Sequence, residues 1–191
     1  MSSKRHGILV IISGPSGVGK TTVCSRLIQL TGYAQSISAT TRASRPGEIA
    51  NVDYVFMNRA DFEHNRQQNL FLEWANVYDN YYGTLRGPVE EKLNAGKNVV
   101  LNIDVQGAAK VRKSGLQNIS FFLLPPSLEV LRSRIGRRGD APADIERRMK
   151  AAERELACKD DYDHQIVNDE VDRTVAEIVA ILLRAKETAE G

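Results

Sequence analysis

The sequence predicts an α/β protein in three layers, a parallel sheet with helices on both faces. Three observations carry this. Ile8–Ile12 is an unbroken, mostly β-branched run halted by Ser13-Gly14-Pro15, the pattern of a strand buried on both sides. The glycine-rich turn behind it opens a segment, about Lys20 to Leu30, whose Val23, Leu27 and Leu30 recur at helical spacing. Further apolar runs at Asn98–Asp104 and Ile119–Leu124 are set among helical segments. Strands alternating with helices dictate a parallel sheet with right-handed crossovers.

Gly32 suits the end of the first helix. From about Ser36 to Thr84 the character changes. Polar and aromatic residues alternate, Pro46-Gly47 marks a turn, and Tyr54, Phe56, Phe62, Phe71, Trp74, Tyr78, Tyr81 and Tyr82 are spread along the segment. This predicts an inserted lobe of short strands with a helix near Arg59–Asn69. A helix follows Pro88, a first-turn residue, and runs to Asn94 ahead of Gly96. Pro125-Pro126 stops the Ile119–Leu124 strand. Ser127 caps a helix reaching Arg134 or beyond, which Gly139-Asp140-Ala141-Pro142 breaks. A charged helix over about Ala143–Cys158 and a short strand Gln165–Asn168 come next. The last helix carries Val171, Val175, Ile178, Val179 and Leu182 on one face.

A length of 191 residues suits one domain with mobile lobes. With 26 basic and 24 acidic residues the formal charge is only +2, which points to neither a nucleic-acid nor a membrane partner. Cys24 and Cys158 lie far apart without CxxC spacing, so a disulfide framework or zinc site is not expected. Cys24 falls on the inner part of a helix, as a small hydrophobe. The apolar run near the start is too short for a signal peptide, and nothing approaches a membrane span, so the expected compartment is the cytoplasm.

Gly14-Pro15-Ser16-Gly17-Val18-Gly19-Lys20-Thr21 satisfies the phosphate-loop pattern GxxxxGK[ST] in full, between a buried strand and a helix. Its backbone N–H groups and the helix N-terminus form a socket for phosphate oxygens. Lys20 reaches the β- and γ-phosphates, and the Thr21 hydroxyl sits on Mg²⁺. The loop specifies nucleotide phosphate binding; many reactions use it. Farther on, Arg42 and Arg45 stand in a hydroxyl-rich loop near Glu48. With phenols such as Tyr54 and Tyr82 they can hold an isolated phosphate. Two solvated surface arginines fit the same residues, and the phenols can equally be packing residues.

Ser36–Glu48 together with Asp53-Tyr54, Phe71-Leu72-Glu73-Trp74-Ala75, Tyr81-Tyr82-Gly83-Thr84, Ile103-Asp104-Val105-Gln106-Gly107 and Ile166-Val167-Asn168-Asp169 resembles the guanylate kinase family from end to end. The resemblance implies a P-loop NTPase fold: a five-stranded parallel core over about 1–35, 85–133 and 151–191, a mixed α+β GMP-binding lobe over 36–84, and a small helical lid over 134–150. It implies that Mg·ATP, held by the loop, Thr22 and Asn168, passes its γ-phosphoryl group to GMP or dGMP. Arg42, Arg45, Tyr54 and Tyr82 would hold the GMP phosphate, with Glu48 orienting the arginines. Ser38, Glu73, Gly83, Thr84 and Asp104 would surround the guanine, and Asp104 would also support the metal through water. Arg134, Arg138 and Arg148 would close over the ATP phosphates, with Arg137 and Arg147 facing solvent.

The chemistry is consistent with that division. Guanine presents a ring N–H and an exocyclic amine side by side, and one carboxylate accepts from both. Adenine presents an acceptor at the ring position, so an ionised Glu73 would face a lone pair. The attacking GMP oxygen is already anionic, and His6, His64 and His164 lie outside the motifs, so no general base is required. This chain departs from the family pattern at Asn102, where a carboxylate is usual, at Ala50-Asn51, where Asn-Gly is common, and at Thr84, where Ser is common. Two rival classes are a protein-binding module with this fold and a kinase acting on a phosphorylated sugar. The intact loop weighs against the first and the guanine-reading set against the second. Oligomeric state is not legible.

Overall fold

The computed structural model describes residues 6–77, 79–136 and 141–190, with side chains to 187. Tyr78, Arg137, Arg138, Gly139 and Asp140 lie outside the described residues. The larger sheet has five strands, all parallel, in the order β2-β7-β1-β8-β9. These are β1 (Leu9–Ser13), β2 (Ala34–Gln35), β7 (Val99–Asn102), β8 (Asn118–Leu124) and β9 (His164–Val167). β1 is central and every residue of it is buried, as its unbroken apolar run requires. Alternation then divides the core. Val10 and Ile12 pack with Val23 and Leu27 of α1 (Lys20–Thr31) and with Val175 and Ile178 of α7 (Val171–Glu190). Leu9 and Ile11 pack on the opposite face, with Val89 and Leu93 of α3 (Arg86–Asn94) and Ala108 and Val111 of α4 (Val105–Arg112). Three layers result. Burial pushes the Cys24 thiol up to about 12, so it behaves as a small apolar residue.

Between β2 and α3 the chain builds a second sheet of four strands, ordered β4-β3-β6-β5. They are β3 (Ser38–Thr40), β4 (Tyr54–Phe56), β5 (Phe71–Val77) and β6 (Asn80–Leu85). β3 and β4 are parallel and the other pairings antiparallel, so the sheet is mixed. One face carries Ala39, Tyr81 and Phe71 against Phe62 of α2 (Arg59–Gln67), with Phe62 stacked on Phe71 at 4.4 Å and on Tyr81 at 5.2 Å. α5 (Leu128–Gly136) and α6 (Pro142–Leu156) pair through Leu131, Ile135, Met149 and Ala152, and Arg132 bonds Glu146 between them.

Several expected boundaries shift. The helix expected after Pro88 begins two residues before it, and the strand expected to reach Asp104 ends at Asn102. Asp104 instead caps α4, a helix the sequence reading did not anticipate, by accepting the Gly107 N–H at 2.8 Å. Asn51 adopts φ 63°, a left-handed conformation that Asn tolerates, so the turn survives without the glycine. The Ser127 hydroxyl accepts the Val130 N–H at 3.2 Å, as an N-cap. Among the described residues no helix is long and apolar enough to cross a membrane.

Candidate active site

β1 runs into the glycine-rich loop and α1 leads out of it. Gly14, Gly17 and Gly19 take φ of 140°, 86° and 105°, where a side chain is strained. At Gly19 space is also lacking: a Cβ would lie 2.5 Å from Asn168 Nδ2. Lys20 Nζ donates to the Gly14 and Pro15 carbonyls at 2.7 and 3.0 Å, which holds the ammonium against the loop. Asn102 Nδ2 donates to Thr21 Oγ1 at 3.1 Å. Ser16 is bonded twice by α6. Its hydroxyl accepts from Arg148 at 3.1 Å, and its N–H donates to Glu155 Oε2 at 3.1 Å.

The four-stranded sheet turns its other face toward this loop across one cleft of about 1200 Å³. Strand register explains which side chains share that face. Tyr54 pairs with Ser38, Ser38 with Thr84, and Thr84 with Glu73, a single row across all four strands. The next row on the same face is Phe56, Thr40, Tyr82 and Ala75. A bulge between Phe71 and Glu73 makes this possible. In a regular ladder Glu73 would share the face of Phe71 and point at α2; with the bulge, Leu72 enters the main core and Glu73 turns to the cleft.

Glu73 is 7% exposed, and its Oε1 accepts from Thr84 Oγ1 at 2.7 Å. Its Oε2 lies so close to α4 that a Cβ on Gly107 would come within 2.7 Å. Burial pushes the Glu73 carboxyl up to about 7; the Thr84 bond and Lys110 pull it down, while Asp104 pushes it further up. Arg42 forms a two-pronged bond to Glu48 at 2.8 and 3.0 Å, and the Arg45 N–H donates to Glu48 at 2.7 Å. The Glu48 carboxyl is held below its ordinary value mainly by Arg42, and Arg42 is raised mainly by Glu48. Arg42 also lies over the Tyr54 ring, 5.3 Å from its centre.

Of the residues singled out from the sequence, the cleft brings together Ser16, Gly17, Gly19, Lys20, Thr21, Thr22, Ser38, Arg45, Tyr54, Glu73, Tyr82, Gly83, Asp104, Arg134 and Arg148. Asn168 is placed differently: it is 3% exposed and supports the loop from behind. Its Nδ2 donates to the Val18 carbonyl at 2.8 Å, and its own carbonyl accepts from Arg134. Thr84 is buried too, reaching the cleft only through Glu73. Gly14, Pro15, Val18, Arg42 and Glu48 do not line it. Arg147, expected to face solvent, is largely exposed but rims the cleft beside Asp144. Arg138 lies outside the described residues. Sequence reasoning missed Asn76, Gln106, Asp144 and Glu155 on the walls. Only Glu155 carried a signal: it stands seven residues after Arg148, on the same helical face. None of the three histidines lines the cleft.

Comparison with known proteins agrees with this architecture. The family model described as guanylate kinase matches residues 6–185. A guanylate kinase of Caldanaerobacter subterraneus subsp. tengcongensis is 45% identical over 97% of this chain and 91% of its own length. One of Symbiobacterium thermophilum is 45% identical over 97% and 89%. The crystal structure of guanylate kinase from Anaplasma phagocytophilum superposes with a TM-score of 0.77 at 34% identity, covering 96% of this chain and 87% of that one. With the loop, the second sheet and the paired helices matched along nearly the whole sequence, the chain belongs to the guanylate kinase family.

Proposed function

We propose that this chain transfers the γ-phosphoryl group of Mg·ATP to GMP, and to dGMP, giving ADP and the diphosphate. The observation that carries the reading is the buried Glu73 carboxyl, set by a bulge into the same cleft as an intact phosphate loop. The four-stranded lobe is the acceptor side: Tyr54, Tyr82 and Arg45 take the phosphate, while Ser38 and Glu73 read the base. Glu48 holds Arg42 and the Arg45 backbone in place, so its role is positioning. Arg134 and Arg148 belong to the α5–α6 lid on the donor side.

The residues fit a magnesium ion. Among the described residues no group of three or more His, Cys, Asp or Glu could hold a metal by itself. Mg²⁺ bound mainly by phosphates and water asks the protein for only one or two oxygens; the Thr21 hydroxyl and, through water, the Asp104 carboxylate, both on the cleft wall, would supply them. When bound, the ion neutralises charge on the phosphate oxygens. Asn102 in place of a carboxylate donates to Thr21 and adds no negative charge beside the ion.

Two polyphosphate chains that meet in line repel. A pair of unit charges about 4 Å apart costs about 4 kcal/mol at an effective dielectric near 20. Lys20, Arg45, Arg134 and Arg148 offset this repulsion from both walls. The acceptor oxygen is anionic, so the chain holds and orients it and need not remove a proton.

The test is ADP release from ATP across GMP, dGMP, AMP, UMP and ribose phosphates. Turnover confined to GMP and dGMP is expected. Turnover with a sugar phosphate, or none with any acceptor, would overturn the reading. Lys20→Ala should lower turnover at least about 100-fold with the fold intact.

A further inference from the structure

We infer that Glu155 is a counter-anion of the phosphate loop, competing with the ATP triphosphate for the Ser16 N–H and giving up that donor when the triphosphate takes it. The inference rests on reading the loop as the ATP phosphate site.

Glu155 and Arg148 lie seven residues apart on α6, two turns along one face, and both bond Ser16. They carry opposite charges. The glycine-rich turn exists to gather N–H donors for phosphate oxygens, yet here one of those donors, on Ser16, is bonded to a carboxylate from a different element. Burial raises the Glu155 carboxyl above its ordinary value, and Asp104 adds to this, while the Ser16 N–H and the Lys20 charge pull against it. The carboxylate thus occupies the hydrogen-bonding and electrostatic position of a phosphate oxygen. An incoming triphosphate attracts Arg148 and repels Glu155, so the two cannot keep their present contacts together. Arg148 gains a partner and Glu155 loses one.

This separates two roles for Glu155. A buttress that merely fastens α6 to the loop would aid nucleotide binding, and its loss would weaken ATP. A competitor would oppose binding, and its loss would strengthen ATP. Glu155→Gln keeps the side-chain shape and one acceptor oxygen for the Ser16 N–H, so the contact survives without its charge. Glu155→Ala removes the contact altogether.

The experiment measures binding of ATP, inorganic tripolyphosphate and GMP to the wild type and both variants by calorimetry, with melting temperatures to confirm folding. Both variants should bind ATP and tripolyphosphate about tenfold more tightly, the change produced by one charge-assisted bond that need no longer be displaced. GMP affinity should stay within twofold, because Glu155 faces the loop rather than the second sheet. Equal or weaker ATP binding by a folded Glu155→Gln protein would overturn the inference while leaving the function standing. Failure of the wild type to bind ATP or tripolyphosphate would overturn the reading of the loop, and this inference with it.

Discussion

At Glu73, burial opposes ionisation while the proposed recognition of guanine requires it. The carboxyl is raised to about 7, first by burial and then by Asp104, against the pull of Thr84 and Lys110. For an acid whose folded pKa is raised, the cost to stability is absent below about 4.5, grows as pH climbs toward 7, and stays constant above. That cost is on the order of 3 kcal/mol. Glu73→Gln should therefore raise the melting temperature at pH 8 and leave it nearly unchanged at pH 4.5; an equal effect at both would contradict the assignment. The proposed recognition has the opposite pH preference. If GMP takes the ionised form, its binding should release a proton below pH 7 and weaken about tenfold per unit of falling pH. Calorimetry in buffers of different ionisation enthalpy reads that proton directly. A neutral carboxyl also offers one donor and one acceptor, the complement of the adenine edge, so discrimination against AMP should shrink in acid. The phosphate loop was legible residue by residue, because its chemistry is local. Glu73 was legible only through family resemblance, because the bulge at Leu72 that turns it inward leaves no mark on sequence periodicity.

At the scale of elements, α4 shows how a short helix serves a site. It has eight residues, begins at the Asp104 cap, and carries Gly107 in its first turn. Gly107 weakens a helix by about 1 kcal/mol relative to Ala, which is why the sequence did not declare one there. Its use is proximity: the missing Cβ leaves room for Glu73 Oε2. Gly107→Ala should thus fail to bring the gain in stability that helix propensity promises. It should weaken GMP at least tenfold while sparing ATP; equal losses for both would show that Gly107 serves packing alone. The long amphipathic elements were legible: α1 ends at Gly32, and α7 buries Val175, Ile178 and Leu182. The two-residue β2 was not, since its place is set by pairing with Val99 and Val100 rather than by its own pattern.

In the whole molecule, alternating strands and helices predicted a parallel sheet, but the order β2-β7-β1-β8-β9 depends on which crossover packs where and was not legible. That order places the loop after β1 at the middle of the sheet, facing a second sheet and the α5–α6 pair across a cleft of about 1200 Å³. Three walls from separate elements imply closure around two substrates. Small-angle scattering should show a smaller radius of gyration only when GMP and a non-hydrolysable ATP analogue are both present; unchanged shape would contradict closure. The central claim is that one buried carboxylate selects the purine in a cleft whose cations serve any phosphate. Calorimetric titration of GMP and AMP into the wild type and Glu73→Gln at pH 8 tests it most directly. The account predicts GMP favoured at least about 100-fold by the wild type, with most of that preference lost in the variant. Equal affinity of the wild type for the two nucleotides, or a preference that survives the substitution intact, would contradict it.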